Sequence, residues 1–264
     1  MQNKRVAVVI LNWNGLSFLK DFLPGVIEMT PEADIVIADN NSSDDSIQYL
    51  KSLGSSIQII QLDRNYGFCG GYNRALKQLN HEYFLLLNSD VEVSHNWLAP
   101  LLQKIESDKS IAVVQPKIKY QRDKKLFEYA GAAGGYIDFY GYPFCRGRIF
   151  DSLEEDQNQY ASDEIFWASG ACFLIKAELY KKFGGLDEHF FAHMEEIDLC
   201  WKLKNHSYKI YCVTESEVYH VGGGTLPKSN PRKTYLNHRN GLFLMFKNLH
   251  PSIRSSRLLI RMLL

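Results

Sequence analysis

The chain has 264 residues, 45% of them hydrophobic, enough to fill the core of one large α/β domain or two small ones and too many for a disordered polypeptide. Its 30 basic and 30 acidic side chains balance, yet the last acidic residue is Glu217 and eight lysines and arginines follow it. An anionic surface or ligand is therefore expected at that end, with no nucleic acid as partner.

The N-terminus runs from Lys4 and Arg5 directly into Val6-Ala-Val-Val-Ile10, too short a run for a signal peptide and read as a first strand. Further strands are expected at Asp34–Ala38, Ile57–Leu62, Tyr83–Leu87 and Ile111–Gln115. Between the strands lie helices at Leu16–Glu28 (with Pro24 as a kink), Asp44–Leu53, Gly70–Leu79 and Asn96–Ser107. This alternation predicts βαβ units and a mostly parallel sheet. Ser42 and Ser43 are the expected N-cap of the second helix.

From Pro116 to about Asp163 the sequence is Gly- and Tyr-rich without helical period, and hairpins and loops are expected there. Order resumes with a buried strand pair over Ile165–Ile175, a short helix over Ala177–Phe183 closed by Gly184-Gly185, and a helix over Met194–Asn205. The five cysteines, Cys69, Cys145, Cys172, Cys200 and Cys212, lack the spacings of zinc sites or redox pairs and fit a reducing compartment. No apolar run reaches the roughly 20 residues of a spanning helix.

In a doubly wound sheet, ligands lie beyond the C-terminal ends of the strands. Here the first strand ends in Asn12-Trp13-Asn14-Gly15, the second in Asp39-Asn40-Asn41-Ser42-Ser43, the third in Asp63-Arg64-Asn65-Tyr66-Gly67 and the fourth in Asn88-Ser89-Asp90. Each has an ordinary reading too. Asp39-Asn-Asn-Ser-Ser suits a turn with a helix cap, Trp13 suits the core, Asn65-x-Gly67 suits a tight turn, and Asp90 suits a cap. Their joint placement on one rim favours a site, where the Asp90 carboxylate suits a hard divalent cation that takes its remaining ligands from phosphates and water.

With these motifs the chain resembles glycosyltransferase family 2, in its rhamnosyltransferase-like bacterial branch, over about Val6 to Asn248. The resemblance implies a GT-A-like α/β fold, a Rossmann-related and mostly parallel sheet flanked by helices with a smaller mixed acceptor-side region. It implies that Trp13 and Asp39 contact the nucleotide base, with Asn65, Gly67 and Asn88 nearby. Asn88-Ser89-Asp90 stands at the Asp-x-Asp metal motif, with Asn replacing the first Asp, and His220 is similar to a histidine that reaches the metal, Mg²⁺ or Mn²⁺. Phe190-Phe-Ala-His-Met-Glu195-Glu196-Ile-Asp198-Leu-Cys-Trp201 resembles the catalytic segment, with Glu196 in the place of the catalytic Asp. Trp167 and Gly170 belong to a stretch resembling the acceptor side, and one of Glu195 and Asp198 is expected to hold either the helix start or the acceptor. Read without the family, Glu195, Glu196 and Asp198 open an amphipathic helix, where the macrodipole favours acids, and His220 suits a structural role.

The implied activity is transfer of a sugar from a UDP-, dTDP- or GDP-sugar to a saccharide or lipid-linked acceptor in cell-surface polysaccharide or glycolipid assembly, with inversion carried over from the family. A sugar-nucleotidyltransferase and a binder of nucleotide sugar without turnover are the rival readings. Arg239 either contributes to diphosphate binding or lies on a solvated helix face. Residues 1–225 are expected to form the catalytic domain, divided near 116, and 226–264 a basic helical segment. Arg254, Arg257 and Arg261 among apolar residues suggest a basic amphipathic helix over 250–264, against an anionic membrane on the inner face of the plasma membrane, or an ordinary surface helix.

Overall fold

The strand β1 (Val6–Asn12) lies between two parallel neighbours, β2 (Asp34–Asp39) and β4 (Tyr83–Asn88). That placement explains why it is apolar at successive positions: Val6, Val8 and Ile10 enter one core, Ala7 and Val9 the other. A strand covered on both faces cannot alternate polar and apolar side chains. The computed structural model describes residues 4–128, 131–150, 152–222 and 231–263.

In chain order, β1 is followed by α1 (Leu16–Glu28), β2, α2 (Ser46–Ser52), β3 (Gln58–Gln61), α3 (Gly67–Lys77) and β4. Next come β5 (Val91–Val93), α4 (Leu98–Ser107), β6 (Ile111–Tyr120) and β7 (Asp123–Phe127), then two small hairpins, β8 (Gly135–Ile137) with β9 (Pro143–Cys145) and β10 (Arg148–Ile149) with β11 (Ser152–Leu153). The chain continues with β12 (Asp163–Ile165), β13 (Cys172–Lys176), α5 (Ala177–Lys182), α6 (Glu195–Asn205), β14 (Lys209–His220), α7 (Pro231–Asn248) and α8 (Pro251–Leu263). The main sheet runs β12-β14-β6-β13-β4-β1-β2-β3, with β5 on β14 and β7 on β6. Its β4-β1-β2-β3 half is parallel, while β13 enters antiparallel between β4 and β6. The expected α/β class is present, with the mixed region on the second half.

Packing of α3 on the sheet is close because Gly71 faces β1: a Cβ there would meet the Leu11 side chain at 2.6 Å. Helix α1 covers the expected Leu16–Glu28, with Pro24 inside it.

Several boundaries differ from the expectation, each for a physical reason. Strand β6 continues past Gln115 to Tyr120, because its partner β14 accommodates Pro116: the register shifts between Val213 and Glu217, where proline has no N–H to offer the ladder. Residues Ile165–Ile175 are not a pair; β12 joins β14, and β13 joins β4 and β6. Ser42 and Ser43 do not cap α2, whose N-cap residue is Asp45; Ser42 is drawn instead to Asp39.

The C-terminal helices belong to the same body, since α7 packs on α6 and α8 on α7. The arginines of α8 face inward, contrary to a helix whose charges project to an external surface. Arg257 Nη1 donates to the Phe139 carbonyl, Arg261 Nη1 to that of Tyr140 at 3.3 Å and Arg254 Nη2 to that of Leu249 at 3.2 Å. The outward side of α8 carries Leu259, Met262 and Leu263. Of the Gly222–Thr225 segment Gly222 alone is described; Lys228 and the side chains of Arg232 and Lys233 lie outside the described residues.

Candidate functional site

The polar ends of β1, β2 and β4 do meet at one rim. Asn12 Nδ2 donates to Asp39 Oδ1 at 3.0 Å and to Ser42 Oγ at 3.0 Å, while Ser42 donates through Oγ to Asp39 Oδ1 at 2.6 Å and through its N–H to Oδ2 at 3.0 Å. The Asp39 carboxylate is thus fixed in orientation and buried. Trp13, 53% exposed, stands beside this network with its ring open to solvent, a position that suits a platform for a flat base rather than core. Asn12 Oδ1 is buried without a hydrogen-bond partner among the described residues.

The start of α3 is built by side chains. Asn65 Oδ1 accepts from the Gly67 N–H at 2.8 Å and from Asn40 Nδ2 at 3.0 Å, and Asn40 Oδ1 accepts from the Tyr66 N–H at 2.9 Å. Gly67, at φ +70°, makes the turn that other residues resist. A Cβ on Gly67 would lie 3.7 Å from the Phe191 carbonyl oxygen, so this turn adjoins the loop leading into α6. Tyr66 is held between Arg64 and Arg74.

At the end of β4, Asp90 Oδ1 lies 3.2 Å from His220 Nε2, and Asn88 Nδ2 lies 3.5 Å from the same nitrogen. The sheet creates this meeting: β5 pairs antiparallel with β14, placing Val91 opposite His220. Burial alone would raise the Asp90 carboxyl; His220 and the Gly222 N–H outweigh it and hold the group below its ordinary value. Burial likewise opposes charge on His220, but Asp90 and Glu128 prevail and bring its pKa up to about 10. Among the described residues no group of three His, Cys, Asp or Glu forms a complete metal cage. One carboxylate and one imidazole at this separation fit a Mg²⁺ or Mn²⁺ ion that shares a diphosphate.

The second acidic group sits at the start of α6, after a loop in which Phe191, His193 and Met194 all have positive φ. Each such residue costs roughly 1–2 kcal/mol, so something must hold the loop. Asn240 of α7, fully buried, directs its amide N–H groups at the carbonyls of Phe190, Ala192 and His193 at 3.0, 2.8 and 2.7 Å. Arg239 Nη2 donates to those of His189 and Phe190 at 3.1 and 2.8 Å. Arg239 therefore fastens this loop through Nη2 and does not lie on a free helix face.

Glu195 and Glu196 open α6. Glu195 is buried, and burial together with the neighbouring Glu196 charge pushes its carboxyl well above the usual range. Burial also raises Glu196 against N–H groups, including that of Gly170, that favour its anion. One oxygen of each carboxyl is buried without a hydrogen-bond partner among the described residues. A Cβ on Gly170 would lie 3.7 Å from the Glu196 carboxyl carbon, and the next carbonyl, of Ala171, accepts from the Asn88 N–H at 2.9 Å. This backbone step links Glu196 to the Asn88–Asp90–His220 end of the sheet.

Asp198 and Trp167 lie elsewhere. The Asp198 carboxylate, fully buried, accepts from Asn248 Nδ2 at 2.8 Å, Lys247 Nζ at 2.7 Å and Lys202 at 2.8 Å, and so binds α6 to α7 rather than facing an acceptor. Trp167 is buried under β8 and donates from Nε1 to the Tyr136 carbonyl at 2.7 Å. Sequence reasoning placed Asn12 and Asn40 in the strand-end motifs without giving either a role, and it missed Asn240 and Glu128. The first two stand out as amides at the ends of apolar strands; Glu128, in a stretch without period, carries no signal of its own.

The chain is similar to known proteins over most of its length. The family model described as Glycosyl transferase family 2 matches residues 7–184. A low-salt glycan biosynthesis hexosyltransferase of Haloferax volcanii is 23% identical over 241 residues, covering 89% of this chain and 73% of the relative. An N-acetylglucosaminyl-diphospho-decaprenol L-rhamnosyltransferase of Mycobacterium tuberculosis is 22% identical over 232 residues, covering 81% and 75%. A crystal structure of GalNAc-T7 with UDP, GalNAc and Mn²⁺ superposes with a TM-score of 0.69 at 20% identity, covering 90% of this chain and 47% of that one. The present chain thus spans about half of GalNAc-T7, and that likeness shows the shared GT-A-like fold.

Proposed function

The chain belongs to glycosyl transferase family 2 and is a sugar-transferring enzyme of glycan biosynthesis, and from that premise we propose that it moves a hexose from a nucleoside-diphosphate donor to a hydroxyl of a saccharide or lipid-linked acceptor, with inversion. The observation that carries the reading is Glu196: a half-buried carboxylate with one oxygen unpartnered among the described residues, beside Gly170, on the rim that also holds Asp90 and His220.

In the proposed reaction Trp13 stacks on the base, and the Asp39 network and the Asn65–Gly67 turn orient the nucleotide. Glu196 takes the proton of the acceptor hydroxyl as its oxygen bonds to the anomeric carbon and the bond to the β-phosphate oxygen breaks. Burial holds its carboxyl above the ordinary carboxylate value, which makes the anion a stronger base. Asp90 and His220 would hold a Mg²⁺ or Mn²⁺ ion, which supplies neutralising charge for the departing diphosphate. A single displacement of this kind inverts the anomeric centre.

A sugar-nucleotidyltransferase is disfavoured because Asn12-Trp13-Asn14-Gly15 offers no basic side chain to a triphosphate. The test is a thermal-shift panel of UDP, dTDP and GDP and their sugars, with and without Mn²⁺. A ligand at 100 times its Kd stabilises the fold by about 2.7 kcal/mol. Transfer of labelled sugar from the stabilising donor then separates an active enzyme from a mere binder.

The described residues contain no helix long and apolar enough to cross a membrane. The outward apolar side of α8 nonetheless offers a peripheral contact with a lipid surface, which suits a lipid-linked acceptor.

A further inference from the structure

His220 is flanked by two carboxylates. Nε2 faces Asp90 at 3.2 Å, and Nδ1, on the far side of the ring, has Glu128 Oε1 as its neighbour at 3.5 Å. All three side chains are nearly or fully buried. Glu128 is itself fixed by the fold: its N–H donates to the Ile118 carbonyl at 3.1 Å, at the point where β7 leaves β6. Gly222 closes the other side, because a Cβ there would lie 2.9 Å from Glu128 Oε1, and its φ of +70° suits glycine. Any other residue at 222 would press on the carboxylate that faces the imidazole.

An imidazole that ligates a cation through one nitrogen must keep its proton on the other, and a carboxylate at that second nitrogen selects the tautomer and sets the ring plane. We propose that Glu128 is a positioning residue for His220: its carboxylate accepts a hydrogen bond from Nδ1–H, keeps the proton on that nitrogen and thereby leaves Nε2, the nitrogen beside Asp90, free to donate its lone pair to a divalent cation. This rests on the assignment of Asp90 and His220 as the cation's ligands. The 3.5 Å separation is that of an ion pair rather than a short hydrogen bond.

The test measures Mn²⁺ binding by EPR to the full chain in the presence of UDP, dTDP or GDP, whichever stabilises it. Glu128→Ala weakens Mn²⁺ affinity about 10- to 100-fold, whereas Glu128→Gln, whose amide oxygen still accepts from Nδ1–H, loses much less. Nucleotide affinity in chelator stays the same for both variants. With Mg²⁺ and nucleotide bound, two-bond ¹H–¹⁵N spectra of His220 show the proton on Nδ1 in the unsubstituted protein. Mn²⁺ affinity unchanged in Glu128→Ala but lost in Asp90→Ala and His220→Ala would overturn the positioning role and leave the metal site standing. No loss in Asp90→Ala or His220→Ala would overturn both. If the Glu128 variants do not fold, the spectrum decides: a proton on Nε2 in the metal-bound state rules the proposal out.

Discussion

Asp90 and His220, from opposite halves of the chain, meet at 3.2 Å because the three-residue strand β5 sets its register against the end of β14. Shifting a strand register by one residue turns each side chain to the other face, so this contact is a property of the sheet and not of a flexible loop.

The first prediction follows from that contact. A cation at His220 Nε2 must displace a proton that Asp90 and Glu128 hold until about pH 10. Mn²⁺ affinity should therefore rise roughly tenfold per pH unit between about pH 6 and about pH 8, and Asp90→Ala should weaken Mn²⁺-supported donor binding. Calorimetric titration at three pH values is the check. A flat profile would show that His220 is not a ligand.

A second prediction concerns Glu195. Its folded pKa is raised by burial and by Glu196, so the stability it contributes is present below the ordinary carboxylate value and lost as the pH rises through the folded value. Glu195→Gln keeps the shape and removes that loss. The variant should melt higher than the unsubstituted protein at about pH 8 and gain less at about pH 5; each 1 kcal/mol moves Tm by about 2–4 °C in a chain of this size. Equal gains at both pH values, read by scanning calorimetry, would assign the effect to packing.

Asn240 is the third. Its two amide hydrogens serve three loop carbonyls, and each buried group left unpaired costs about 1–3 kcal/mol. Asn240→Ala should lower stability by about 2 kcal/mol or more and reduce transfer with little effect on donor affinity, because the loop it holds leads into Glu196. An unchanged Tm and unchanged turnover would show that the loop keeps its conformation unaided.

The fourth prediction turns on the orientation of α8. Its arginines are bound inward, to the carbonyls of Leu249, Phe139 and Tyr140, while Leu259 and Leu263 are 57% and 79% exposed. A lipid contact made by that apolar side should resist salt, unlike one made by exposed cations. Vesicle flotation should survive high NaCl and be lost in the double variant Leu259→Ser, Leu263→Ser. Failure of the unsubstituted chain to float would remove the membrane contact.

The legible parts of this fold are those decided locally. β1, β2 and β4 announce themselves as short apolar runs, and Asp90 stands out because a carboxylate directly follows one of them. β14 was harder to see, since residues 214–216 bulge where Pro116 interrupts the ladder. Asp198 reads as a site candidate because it shares a helix start with Glu196, and Arg239 because it lies in the basic C-terminal segment; packing of α7 on α6 gives Asp198 its lysine and asparagine partners, and Arg239 donates to the loop before α6. Glu128 depends on where β7 leaves β6, a long-range outcome that spacing does not encode.

The last prediction is that Glu196→Gln abolishes transfer while donor binding stays nearly intact. The amide retains the size of the side chain and, through its oxygen, the bond from the Gly170 N–H, but it has no basic oxygen to receive the acceptor's proton. Loss of a general base lowers the rate by about 10² to 10⁴, far beyond the effect of a slight repacking at α6. The structure separates the internal controls. Asp198→Asn should act on stability, because it weakens the pairing with Lys202 and Lys247, and Glu195→Gln should act on the pH dependence described above. Single-turnover transfer with labelled donor, alongside donor affinity and Tm for all three variants, reads the difference. Were Glu195→Gln to eliminate turnover at normal donor affinity while Glu196→Gln stayed active, the base would be Glu195, whose carboxyl also has a buried oxygen without a partner among the described residues.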